Sequence, residues 1–141
     1  MTTISFYNHT RKLFANNEVT LANLKLMLVN NYTFDATETN MSGVASAEMV
    51  WGNGWDSEGE PIPSAAITVV NTNEAMLDAT DISVTATGGN IGPASGAIIY
   101  ETGGAGIPLF YIDFQGSETA GVGTPFNVNW NASGIARWLV P

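Results

Sequence analysis

This chain contains no cysteine. Disulfides, thiolate metal sites and thiol nucleophiles are therefore excluded. Positive charge is almost as scarce: Arg11, Lys12, Lys25 and Arg137 stand against thirteen Asp and Glu, for a net charge of −9. Nucleic acid and an anionic membrane both require clustered cations, so neither is expected as a partner. Histidine occurs once, as His9. Any His-based triad would have to use it, and no G-x-S-x-G elbow accompanies it. A lone histidine beside Arg11 and Lys12 reads as a surface residue. Long apolar runs are missing too. Stretches such as Leu26 to Val29 fall far short of the roughly 20 residues that a spanning helix needs. Met1 to Asn17 lacks the apolar core of a signal peptide, so the protein is expected to be made and kept in a cytoplasm, or assembled there into something larger.

What is present is the grammar of strands and turns. Only 12% of the 141 residues are charged, about half the usual share. Asn, Thr, Ser and Gly carry the polarity instead, which suits turns and the solvent faces of strands. Phe126, Val128 and Trp130 alternate with Asn127 and Asn129, and Phe110, Ile112 and Phe114 alternate with Tyr111 and Asp113. A period of two turns alternate side chains to opposite faces, so both segments read as half-buried strands. Leu24 to Val29 reads as a core strand, and Glu48 to Val50 as a short one. Ala65 to Val70 and Ala75 to Leu77 read as a hairpin across Asn71-Thr72-Asn73. Ile82 to Thr87, Ala97 to Glu101, Ile107 to Phe114, Pro125 to Trp130 and Ile135 to Val140 complete the set.

Glycine-rich turns are expected at 103–106 and 116–123, with breaks at Gly88-Gly89-Asn90 and Gly92-Pro93. Pro61 and Pro63 are expected to limit pairing around the turn region 52–63. Thr10 to Ala15 reads as a helical turn capped by Thr10, with Leu13 and Phe14 turned inward. Tyr32 to Ser42 reads as a polar loop with a helical turn. The expectation is a mainly β chain: one antiparallel sandwich or barrel-like domain over 1–141, with about eight strands and one or two short helices. Residues 1–17 form an extended or short-helical lead segment.

Four groups of residues have chemistry worth weighing. Asp56, Glu58 and Glu60 alternate in a Gly- and Pro-containing loop and are weak candidates for a hard-cation site; they lack EF-hand spacing and read more simply as a solvated acidic loop. Asp78 and Asp81 have the residue type of an acid/base pair, but Asp-x-x-Asp between strands is more simply a turn. Trp51 and Trp55 flank Gly52-Asn53-Gly54, where two rings either anchor a partner or close one end of the sandwich. Trp130 alternates with Phe126 and Val128 and reads as core. Phe6, Tyr7 and Phe14 lie outside the regular strand pattern. With Trp51 and Trp55 they form the expected partner interface. No catalytic residue and no cofactor are expected.

The stretch Glu48-Met49-Val50-Trp51-Gly52-Asn53-Gly54-Trp55, with Gly59 beyond it, resembles a segment in a family of tailed-bacteriophage virion structural proteins. Those proteins also carry a strand like Leu24 to Val29, a Tyr-containing polar loop like Asn31 to Asn40, and strands like Ala97 to Tyr100 and Pro108 to Phe114. They end on a segment like Phe126 to Ile135. The chain departs from them at Trp55, where tyrosine is common, and at Glu60, where a second glycine is common. The resemblance implies a non-enzymatic head- or tail-associated protein, made in the host cytoplasm. Its preferred version is a capsid decoration (cement) protein on the outer surface of the virion. Its partner would be the major capsid protein in the assembled shell, with self-association left open. The alternative is a tail-associated or receptor-binding module that contacts glycan or another tail protein.

Overall fold

The computed structural model describes residues 3–139. In chain order its elements are β1 (Thr3–Phe6), α1 (Thr10–Ala15), β2 (Leu24–Val29), β3 (Met49–Val50), β4 (Glu60–Pro61), β5 (Ala66–Asn71), β6 (Glu74–Asp78), β7 (Ile82–Thr85), β8 (Ile91–Glu101), β9 (Ile107–Ala120), β10 (Pro125–Val128) and β11 (Ala136–Leu139). Strands take 46% of the residues and helices 9%, so the chain is mainly β. Eleven strands are present among the described residues rather than about eight. Beyond the strands expected, the structure adds β1, paired with β9, and the two-residue β4, paired with β2.

That sheet runs β1-β9-β8-β2-β3, with β4 also paired to β2. Every pairing is antiparallel, and two small sheets, β10-β7 and β11-β6-β5, face it. The arrangement is an open sandwich, and no barrel is closed.

The centre follows from β2 and β8, whose side chains are apolar at both parities. Such strands must be covered on both faces. Leu24, Leu26 and Leu28 point into the main core with Ile99 and Phe110, against Leu77, Ile82, Phe126 and Val128 from the small sheets. Met27, Val29, Ile98 and Tyr100 point the other way. Each aliphatic side chain fully buried here contributes roughly 1.5–3 kcal/mol.

The second face is roofed by 30–48, of which Tyr32 to Ser42 is expected from sequence as a polar loop with a helical turn; a single 3-10 turn forms at Met41–Gly43. Tyr32, Met41 and Val44 from this segment are buried against the sheet, beside Tyr7. Its ends are pinned by Asn30 N–H to the Glu48 carbonyl at 2.8 Å, and its middle by Asn8 N–H to the Ala36 carbonyl at 2.9 Å.

Several local expectations are corrected. His9, not Thr10, takes the cap position of α1 and makes no side-chain cap bond. The Thr10 hydroxyl is buried and donates to the Leu109 carbonyl at 2.6 Å, a stronger demand on it than capping. His9 is half-buried, and its Nε2 reaches the Pro108 carbonyl at 2.7 Å, so it is not free on the surface. Gly92-Pro93 does not end a strand. The peptide is cis and lies within β8, where the register shifts between Ile91 and Ala94.

Gly116 does not open a turn either. Ala94 pairs with Glu118 and Gly96 with Asp113, so Phe114 to Ser117 bulge out of the ladder and β9 resumes beyond them. Gln115, at φ 54, takes the left-handed conformation, and the turn contracts to 121–124. Trp130 lies just past β10 and is half-buried rather than fully core. The last strand begins at Ala136, and Val140 lies outside the described residues, as does Thr2. No helix among the described residues is long and apolar enough to cross a membrane.

Candidate protein-docking surface

The five aromatic residues expected to form an interface divide sharply. Tyr7 is 1% exposed and Trp55 2%, so neither can meet a partner without unfolding, and both are withdrawn as contacts. Tyr7 turns inward because the Asn30–Glu48 roof covers it. Its hydroxyl lies 2.8 Å from that of Tyr32, which donates to the Glu38 carboxylate at 2.6 Å. Since Tyr32 gives its own proton to Glu38, Tyr7 must donate to Tyr32. Burial, reinforced by the bond to Tyr32, pushes the Tyr7 phenol far above the ordinary tyrosine value. Burial also raises Tyr32, followed by its bond to Glu38. Phe34 packs edge-on to Tyr7 at 4.9 Å and stacks on Tyr111 at 5.4 Å. This chain of phenols is a structural bracket.

Trp55 closes the sandwich against Phe126, with ring centroids 5.5 Å apart. Its indole N–H has no acceptor among the described residues. Phe6 and Phe14 are half-buried and packed on Phe110 at 4.9 and 5.9 Å. Phe14 also meets Trp138 at 5.2 Å, and the Arg11 guanidinium lies over Phe6 at 4.4 Å. Trp51 alone stands out from the surface, at 61% exposure.

The carboxylates do not converge. Asp56 Oδ1 accepts from the Glu58 N–H at 2.8 Å, and Glu60 Oε1 accepts from the Asp56 N–H at 2.8 Å. Glu58 pairs with Lys25 at 3.3 Å on the surface, where such a pair contributes about 0–1 kcal/mol. These residues shape a turn, and no group of three or more His, Asp or Glu among the described residues is arranged to hold a metal ion. Asp78 accepts from the Ala79 N–H and Asp81 from the Trp130 N–H, each through Oδ1. They brace different backbones and do not form a facing pair.

The surface that sequence reasoning missed is β5. All six of its residues, Ala66–Asn71, are exposed, with Val69 at 79%, Ile67 at 42% and Val70 at 39%. Among the described residues β5 is bonded to β6 along one side only, and its other edge carries backbone N–H and C=O groups with no strand against them. Natural edge strands are usually blunted by lysine, proline or inward charge, because an open apolar edge templates pairing with another chain. No lysine, proline or inward charge blunts this one. From Pro61 to Asn73 no side chain is charged, and the only irregularity is a register shift between Val69 and Asn71. The available signal was the run Ile67-Thr68-Val69-Val70, apolar at both parities with no charge nearby. It reads as a strand in any context, and only the assembled fold reveals that nothing covers it. No protein-family model, curated protein or solved structure matches this chain.

Proposed function

We propose that this protein is a non-enzymatic structural component of a tailed-phage virion, acting as a capsid decoration protein on the outer face of the assembled shell. The observation that carries the reading is the bare β5 edge. A six-residue, β-branched, charge-free strand left open on both faces and along one edge suits a protein that works with a partner strand laid against it. A net charge of −9 opposes pairing between two copies. The favoured occupant is an extended segment of a differently charged protein, here the major capsid protein. One short strand buries far less than the about 1,200 Å² of a stable complex. Useful affinity then requires a second contact, such as Trp51, or many sites in parallel. A surface where several shell subunits meet supplies both.

The carboxylates scattered into turns support a role without catalysis. The resemblance of Glu48 to Trp55 and of the later strands to phage virion proteins points to the same setting. Quantitative mass spectrometry of native particles tests the reading. It expects on the order of hundreds of copies per particle, in proportion to the shell lattice. A handful to a few dozen copies would reject the shell location in favour of the tail.

A further inference from the structure

The sandwich is open along one side, and a groove occupies the opening. Among the described residues β10 bonds only to β7 and β1 only to β9, so two strand edges border the gap. The groove has a volume of about 330 Å³, within the roughly 300–1,000 Å³ of small-molecule sites. Its lining is divided by chemistry. Ile112, Phe126 and Val128 supply apolar surface, while Glu118, Asn127 and Asn129 supply a carboxylate and two amides. Trp130 also lines it.

Trp130 is held at two points, one on its backbone and one on its ring. Its backbone N–H donates to Asp81 Oδ1 at 2.8 Å, and its ring N–H donates to the Thr80 carbonyl at 3.1 Å. The ring nevertheless stays half-exposed. A fixed, partly exposed aromatic face loses little rotamer freedom when a ligand stacks on it. Asn127 is similarly oriented: its Oδ1 accepts from the Ser83 hydroxyl at 2.6 Å, which leaves its amide N–H groups for another partner.

No lysine, arginine or histidine lines the groove. With Glu118 in the wall and an acidic chain around it, an anionic ligand is disfavoured. A neutral saccharide meets every remaining condition: its C–H face packs on an indole, and its hydroxyls both donate and accept. We infer that the groove between β1, β9 and β10 is a binding site for a neutral saccharide, with Trp130 as the stacking platform and Glu118 and Asn127 as hydroxyl partners. The groove holds one carboxylate, whereas glycoside hydrolysis canonically uses two, so the sugar is bound and not cleaved. A peptide strand along the free edge of β10 is less favoured, because it would leave the indole and the paired amides without a task. This site goes beyond the shell-docking reading and stands or falls without it.

The test is titration of the purified full chain with cellobiose, maltose, N,N′-diacetylchitobiose and 3′-sialyllactose, followed by calorimetry and saturation-transfer NMR. At least one neutral sugar is expected to bind, with the sialylated one weaker. Trp130→Ala should weaken binding about tenfold or more, equivalent to roughly 1.4 kcal/mol. Because Trp130 also braces the backbone, Glu118→Ala on the exposed wall serves as a second variant. It should weaken binding several-fold with the thermal midpoint unchanged. The inference is overturned if none of the three neutral sugars binds, if the anionic sugar binds best, or if Glu118→Ala leaves the affinity unaltered.

Discussion

Replacing Trp55 by phenylalanine should leave the protein almost as stable as it was, although the residue is 2% exposed. Two terms oppose each other. The smaller ring covers roughly 50 Å² less apolar surface than indole, a loss of about 1.2 kcal/mol at ~25 cal/mol per Å². An unfilled remainder of roughly 40 Å³ adds about 1 kcal/mol. Against this, the buried indole N–H has no acceptor among the described residues. Leaving a donor buried and unpaired costs about 1–3 kcal/mol, a penalty that phenylalanine removes. The net change is therefore within about 1 kcal/mol. Trp55→Ala removes the same unpaired N–H but also loses all of the ring packing on Phe126, and should still cost about 3–5 kcal/mol. Equilibrium urea unfolding of the three proteins measures both differences. A loss above about 3 kcal/mol for Trp55→Phe would refute the reasoning, since it would mean that the N–H is satisfied and the ring packing carries more.

Three further outcomes follow from the packing. Tyr7 and Tyr32 have folded-state values raised above the unfolded one, so the stability they confer is fully present below about pH 10 and is lost as pH rises beyond it. Urea midpoints should stay level up to that point and fall above it, less steeply in Tyr7→Phe; an equal fall in both proteins would remove Tyr7 from the account. Truncation after Gly134 removes β11 from its pairing with β6 and Trp138 from Phe14, and should give insoluble or unfolded protein; a soluble truncation that melts cooperatively would contradict this. Gly59 sits at φ +87 with its missing Cβ 2.5 Å from the Leu26 carbonyl oxygen, so Gly59→Ala should cost about 2–5 kcal/mol in the same unfolding assay, and a loss under about 1 kcal/mol would show that this turn yields.

Much of the fold was legible because local pattern and tertiary burial agree. Leu24 to Val29 is apolar at both parities and became the central strand; Asn71-Thr72-Asn73 is turn chemistry and became a hairpin turn between β5 and β6. Legibility failed where a residue type has two uses. Gly116 has the composition of a turn but stands in a bulge within β9, because the register to β8 resumes at Glu118. Tyr32, Met41 and Val44 are scattered through polar sequence, and no periodicity marks them as a roof over the second face of the sheet. Trp55 is buried by Phe126, more than seventy positions away, a contact that no local pattern encodes. The exposure of β5 was hidden for the same reason. Its residues read as a strand of a hairpin, and only the arrangement of the other strands leaves them uncovered.

Docking on an assembled shell through the bare β5 edge, as proposed above, is open to direct measurement. The most direct measurement is cryo-electron microscopy of undecorated particles mixed with purified protein. Isolated capsid subunits and the Val69→Lys variant serve as the two comparisons. Val69 is 79% exposed, so the lysine should change stability by no more than about 0.5 kcal/mol while placing a charge on the edge. The expected outcome is added density at repeated positions on the shell, no complex with the isolated subunit in sedimentation, and density abolished or strongly reduced for Val69→Lys. Density confined to the tail, equal binding to the free subunit, self-pairing of the protein without shell binding, or full decoration by Val69→Lys would contradict it.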